Sequence, residues 1–191
     1  AFVSGWATFG LVQYLVLFIQ AVLGASATAS GVTMLASTVS ITATSMAASM
    51  VVARSGRYRR IPPAALAICL VAMALLATMG PQTAIATMAL YLALLGLGSG
   101  LTLQLMVLAV QEAAPKGELG AATAMVTVAR LVGATIGIAV FGLVLNASLA
   151  SPPTPAATAR ALSWVFVSAL PVLLAGFAAA LAFRPLPLAR Q

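Results

Sequence analysis

Chemistry in this chain rests on very few reactive groups. Its 191 residues contain no histidine, one cysteine (Cys69) and two carboxylates, Glu112 and Glu118. That set lacks an imidazole base, a facing pair of carboxylates and a zinc ligand set, so enzyme chemistry built on them is excluded and no cofactor or metal is expected. Cys69 stands among apolar residues and supports neither a disulfide framework nor a metal cluster. Arg130 is the sharpest residue. It follows Glu118 by about 18 Å of helix at 1.5 Å per residue. An arginine near mid-depth in a bilayer costs at least about 2.5 kcal/mol on insertion scales. Its expected chemistry is recognition: a cation in a cavity that holds an anionic or polar group, or a partner for an acid on another helix. The alternatives are snorkelling to the inner interface and binding of backbone carbonyls. Both carboxylates flank one loop, so a carboxylate partner at that depth must come from elsewhere.

Other polar and small residues recur at steps of three and four. Gly120, Thr123, Thr127, Arg130, Ala134 and Gly137 fall on one face, and Gly96, Gly100, Gln104, Val107 and Gln111 on another. Gln13 and Gln20 stand two turns apart on one side of the first apolar run. The second run carries two hydroxyl lines, Ser30, Thr33, Ser37, Ser40 and Thr44 on one and Thr38, Thr42, Ser45 and Ser49 on the other. A helix bathed only in lipid gains nothing from such stripes, so they point at protein or at a water-filled cavity. Gly96 with Gly100, and Gly133 with Gly137, read as helix-packing pairs, because small residues let backbones approach. Gln13 and Gln104 stay open between cavity lining and packing.

The elements that must position these residues are apolar helices. Hydrophobic residues make up 63% of the chain and charged residues 6%, against about 25% charged in an ordinary soluble protein. From Arg60 to Glu112 no side chain is charged, and the Gly80-Pro81 pair is the one break. About twenty apolar helical residues cross a hydrocarbon core of about 30 Å, so the length accommodates about six spans and no separate aqueous domain. The fold class expected is an all-α integral membrane protein with transmembrane helices at about 2–23, 30–53, 63–79, 84–111, 118–145 and 160–183. Residues 146–159, with Pro152, Pro153 and Pro155, read as a stiff external loop. Spans one, two, four and five are expected to face a cavity or each other, with three and six against lipid.

Net charge is +7, yet the nine Lys and Arg form no basic face with aromatic partners, so nucleic acid is not an expected partner. The cations instead mark one side of a membrane. Arg54, Arg57, Arg59 and Arg60 follow the second span, Lys116 the fourth, and Arg184 and Arg190 the sixth, while the intervening turns are neutral up to Arg160. The cytoplasmic excess of Lys and Arg then puts both termini in the cytoplasm. The expected localisation is a plasma or inner cell membrane. Trp164 is expected near the outer interface and Trp6 near the inner one. The chain starts at Ala1 with no basic flank or cleavage site typical of a signal peptide, and reads as a piece of a longer protein.

Several phrases in order resemble a known family. They are Tyr91-Leu-Ala-Leu-Leu-Gly-Leu-Gly-Ser-Gly-Leu-Thr-Leu, then Ala109-Val-Gln-Glu-Ala-Ala-Pro-Lys-Gly-Glu-Leu-Gly-Ala-Ala-Thr-Ala, then Arg130-Leu-Val-Gly-Ala-Thr-Ile-Gly-Ile-Ala-Val-Phe-Gly. Together with Tyr14-Leu-Val-Leu-Phe-Ile-Gln20 and Ser55-Gly-Arg-Tyr-Arg-Arg60, they resemble the C-terminal part of major facilitator superfamily multidrug exporters of the fourteen-span EmrB/QacA type. The likeness implies the C-terminal half of that fold, with the N-terminal half absent, working as a drug:proton antiporter by alternating access. Its implied substrate-cavity residues are Gln13, Tyr14, Gln20, Gln104, Thr127 and Arg130. The loop after span two resembles the superfamily signature Gly-x-x-x-Asp-Arg-x-Gly-Arg. Arg54, Gly56 and Arg57 are retained, whereas Ser49 and Ala53 replace the Gly and Asp.

The partners implied are a small amphipathic substrate, the lipid bilayer, and protons handled by the missing half. Within this sequence no carboxylate lies at membrane depth, so the piece can rock against another half but does not by itself supply the titrating group. Two other readings fit the residues: a metabolite or nutrient transporter on the same fold, and a free-standing six-span protein that binds a partner without transport.

Overall fold

In the computed structural model, residues 1–55, 61–115, 117–149 and 154–182 are described. They form α1 (Phe2–Leu17), α2 (Ala27–Ser55), α3 (Ile61–Ala77), α4 (Ile85–Ala113), α5 (Leu119–Ser148) and α6 (Pro155–Ala182), with one π-helical turn, Phe18–Val22, extending α1. No strand occurs among the described residues. Five of the helices are long and apolar enough to cross a membrane; α3, with 17 residues, is shorter but equally apolar.

Local chemistry explains the boundaries. The π turn ends at Gly24, whose φ of 63° is left-handed backbone that suits a residue without Cβ. The Ala25 N–H then donates to the Ile19 carbonyl at 3.1 Å, and Ser26 Oγ accepts from the Ala29 N–H at 3.2 Å to cap α2. The break at Gly80-Pro81 is a closed turn in which the Gly80 N–H donates to Thr83 Oγ1 at 2.9 Å and the Thr83 N–H to the Gly80 carbonyl at 3.0 Å. The proline-rich loop is shorter than the sequence suggests. Pro155 is the first helical residue of α6, where its missing N–H costs nothing, and Thr154 Oγ1 caps the turn by accepting from the Ala157 N–H at 3.2 Å. Glu118 stands at the N-cap of α5, but its side chain makes no capping hydrogen bond.

The hydrophobic core is shared by α1, α3, α4 and α6. Leu11, Leu15 and Phe18 meet Met73 and Leu76, Met88 and Leu92, and Phe166 and Leu173, all fully buried. Helices three and six are therefore not simple lipid-facing outriders. Each gives one face to this core and turns the other outward, through Val71 on α3 and Trp164, Leu174 and Leu181 on α6. The most exposed helix is α2, with 17% of its span buried against 65% for α1. It packs chiefly on α4, while α5 packs chiefly on α1 and, to a lesser extent, on α6.

Trp6 is 7% exposed and packed edge-on against Phe141, with ring centres 5.4 Å apart. Glycine packing draws it in, because Gly137 on α5 leaves room for the Trp6 backbone 3.3 Å from where a Cβ would stand.

Candidate functional site

Two helix seams carry most of the predicted residues. Along the first, α1 and α5 run in the same direction. Gly5 packs on the Arg130 carbonyl and Gly133 on the Phe2 carbonyl, both too close for any Cβ. Higher up, a Cβ at Gly10 would meet the Phe141 ring at 3.0 Å, and the Tyr14 hydroxyl donates to the Ile138 carbonyl at 2.6 Å. Phe141 is gripped edge-on by both Trp6 and Tyr14. Such aromatic pairs add about 0.5–1.5 kcal/mol beyond the area they bury.

The small-residue stripe of α5 divides at Arg130. Gly133, Ala134, Gly137 and Phe141 are buried against α1. Toward the other end α1 has already begun, at Phe2, level with the middle of α5. Gly120 has no atom within 4 Å of its Cβ position, and Thr127, Met125 and Val128 are exposed. Arg130 sits at the junction, half-buried and engaged within the bundle. It lies between three and four residues from the middle of α5, or about 5 Å at 1.5 Å per residue.

The second seam joins α2 to α4. A Cβ on Gly96 would stand 2.6 Å from the Ser37 carbonyl, and one on Gly100 2.6 Å from the Ile41 carbonyl. Ser45 Oγ donates to the Gly100 carbonyl across the seam at 3.1 Å. The two hydroxyl lines of α2 separate only in part, since Ser45 of the second line joins the seam. Ser30, Thr33, Ser37 and Thr44 are buried, whereas Thr38 and Thr42 face outward. Thr42 donates to the Thr38 carbonyl at 3.0 Å, and Thr38 to the Met34 carbonyl at 3.3 Å. A hydroxyl satisfied by its own helix can face lipid without an outside partner. With Val39, Ala43 and Met46 these threonines line a shallow apolar groove on the outer face.

Of the remaining predicted residues, Gln13, Gln20 and Thr127 are exposed, and Tyr14, Gln104 and Arg130 are half-buried, so none of the six is fully enclosed. Gln20 Nε2 donates to Ser30 Oγ at 3.1 Å, tying the π turn to the start of α2. Thr127 Oγ1 donates to the Thr123 carbonyl at 3.2 Å. Arg54 lies in the last turn of α2 with its side chain outside the described residues, as are Gly56 and Arg57.

One interhelical bond was not foreseen. Thr8 of α1 and Ser99 of α4 share a buried hydrogen bond of 2.8 Å, with Cys69 Sγ of α3 at 4.0 Å from Ser99 Oγ. Ser99 is the middle residue of α4, and Gly98 beside it lets α3 approach. Its signal in the sequence is Gly98-Ser99-Gly100, a hydroxyl between two glycines in an otherwise apolar run. Among the described residues no group of three metal-ligating side chains occurs.

No protein-family model matches this chain. Individual relatives do. It is 35% identical to an uncharacterized MFS-type transporter of Mycobacterium tuberculosis, over 98% of this chain and 32% of that protein. It is 32% identical to a multidrug transporter protein of Bacillus subtilis, over 73% of this chain and 26% of that protein. A tetracycline resistance determinant of Streptomyces rimosus is 32% identical over 76% of this chain and 42% of its own length. The chain thus spans about a third of the length of the mycobacterial relative. These are family-level matches to MFS-type and efflux transporters, which are not enzymes. With the apolar helix bundle, they make this a multi-pass membrane chain of transporter type.

Proposed function

We propose that this chain is the C-terminal six-helix part of a proton-coupled exporter of small amphipathic molecules, of the fourteen-span EmrB/QacA type, working by alternating access. The observation that carries this reading is the match to an MFS-type transporter over 98% of the chain. The bundle supports it mechanically. Gly5, Gly133 and Gly137 fasten α1 to α5, Gly96 and Gly100 fasten α2 to α4, and the shared core joins both pairs. A unit packed in this way can rock as a rigid body against a second half around a central site.

Gln13, Tyr14, Gln20, Gln104, Thr127 and Arg130 are proposed to line this half of the cavity. With its hydroxyl proton committed to the Ile138 carbonyl, Tyr14 offers an acceptor oxygen and a ring face rather than a donor. The groups are sparse and mixed, which suits loosely specified substrates. Both carboxylates flank the loop between α4 and α5, so the titrating acid of a proton-driven cycle is assigned to the portion outside this chain. Arg54, Gly56 and Arg57 are proposed to sit on the cytoplasmic side with both termini of this piece, where cations meet anionic lipid.

The test is energised dye export. The coding sequence that contains this chain, expressed in a drug-sensitive bacterium, is expected to lower ethidium accumulation, and a protonophore is expected to abolish the effect. Equal accumulation with and without membrane-inserted protein would refute the exporter reading.

A further inference from the structure

We propose that the α1–α5 seam at Arg130 is an anion-accepting subsite, so that the molecules this bundle handles include amphipathic acids whose charged group docks on the Arg130 guanidinium. The proposal rests on the transporter reading above and narrows it to a substrate class. Arg130 places a guanidinium about 5 Å from the middle of a thirty-residue apolar helix, a depth at which such side chains are rare and tend to be functional. The chain's two carboxylates lie at the far end of that rise, flanking the loop between α4 and α5. Arg130 is engaged within the bundle, but a guanidinium carries five N–H donors in a fork and can hold a carboxylate besides.

The surroundings suit an amphipathic acid. Arg130 is half-buried where the seam opens. On one side α1 covers α5 with Gly133, Ala134 and Phe141. On the other, Thr127, Met125 and Val128 stand exposed, offering one hydroxyl and a long apolar face. A carboxylate at Arg130 would place its hydrocarbon tail along that face. Gly5 holds the backbone of Arg130 against α1, which fixes the root of the side chain. Trp6, the next residue of α1, is buried on the same seam, and its indole N–H has no hydrogen-bond acceptor.

Trp6 also supplies the assay. This sequence has two tryptophans, so a protein in which Trp164 and every tryptophan outside these residues is replaced by Phe keeps Trp6 as the single indole reporter. Purified protein in a neutral detergent at alkaline pH is titrated with dibromostearate, and separately with its uncharged methyl ester, while quenching of Trp6 is followed. The acid is expected to quench at about tenfold lower concentration than the ester, as a charge-assisted hydrogen bond implies. Arg130→Gln is expected to erase that preference and Arg130→Lys to keep part of it. Equal quenching by acid and ester in the Arg130 protein overturns the proposal, as does a preference that survives in Arg130→Gln. Displacement of the acid by an equal concentration of phosphatidylglycerol also overturns it, because the group held would then be a lipid headgroup. Should Arg130→Gln fail to fold, the acid–ester comparison in the Arg130 protein and in Arg130→Lys decides. None of these failures touches ethidium export, whose substrate is a cation, so the two readings fail separately.

Discussion

Gly96→Val tests the close approach of α2 to α4. The α2 helix is held chiefly by α4, and the approach of the two backbones leaves no room for a side chain. A Cβ at position 96 would lie 2.6 Å from the Ser37 carbonyl and 2.9 Å from Ser40 Cβ, whereas ordinary contact begins at 3.4 Å. The nearest obstacle is backbone, which cannot swing aside as a flexible side chain can. Valine adds two methyl groups beyond that Cβ, so the helices must part. Overpacking of this kind costs about 1–3 kcal/mol. For a chain of this size each kcal/mol moves a melting midpoint by about 2–4 °C. Cys69 reports the transition once any cysteine outside these residues is replaced, since it is the single cysteine of this sequence and is 3% exposed in the folded bundle. Melting is followed in detergent by reaction of that thiol with a fluorogenic maleimide. Gly96→Val is expected to lower the midpoint by several degrees. Gly31→Ala, also on α2 but with nothing within 4 Å of its Cβ position, is expected to leave it unchanged or slightly raised. Equal midpoints for Gly96→Val, Gly31→Ala and the unsubstituted protein would refute the close α2–α4 seam.

The buried Thr8–Ser99 bond of 2.8 Å is expected to show coupling in a double-mutant cycle. Thr8→Val and Ser99→Ala should each cost about 1–3 kcal/mol by leaving the other hydroxyl unsatisfied, and the double variant should cost less than their sum; strict additivity in the same melting assay would show the bond contributes nothing. Orientation is read in cells carrying a cysteine-free form of the protein, Cys69→Ala included. A membrane-impermeant maleimide is expected to label Thr154→Cys from outside and Arg57→Cys only after permeabilisation, and the reverse pattern would overturn the cytoplasmic placement of the Arg54–Arg57 loop.

Much of the helix plan was legible without coordinates, for reasons visible in particular residues. Gly80-Pro81 interrupts an uncharged run and becomes the turn between α3 and α4. Gly24 ends the first helix because its backbone is left-handed there. The start of α6 was misread because three prolines suggested a loop, although a proline at the first helical position is well tolerated. The candidate site was legible as residue types but not as an arrangement. Arg130 is prominent in any reading, yet the stripe through it looked continuous, whereas α1 covers one half and leaves the other open. Thr8 drew no notice beside the longer hydroxyl lines of α2, because a single buried hydrogen bond leaves no periodic trace.

From the sequence come the apolar helices and their breaks, since hydropathy and residue type report how each segment meets its solvent. Tertiary structure alone decided which faces meet: that α3 and α6 help form the core, that Trp6 is buried, and which hydroxyls of α2 turn outward. Lipid tails and a protein interior are equally apolar, so hydropathy is silent on which side of such a helix is packed. What separates the faces is the close fit of one backbone against another, at Gly5, Gly96, Gly100 and Gly133, and that fit exists only between helices.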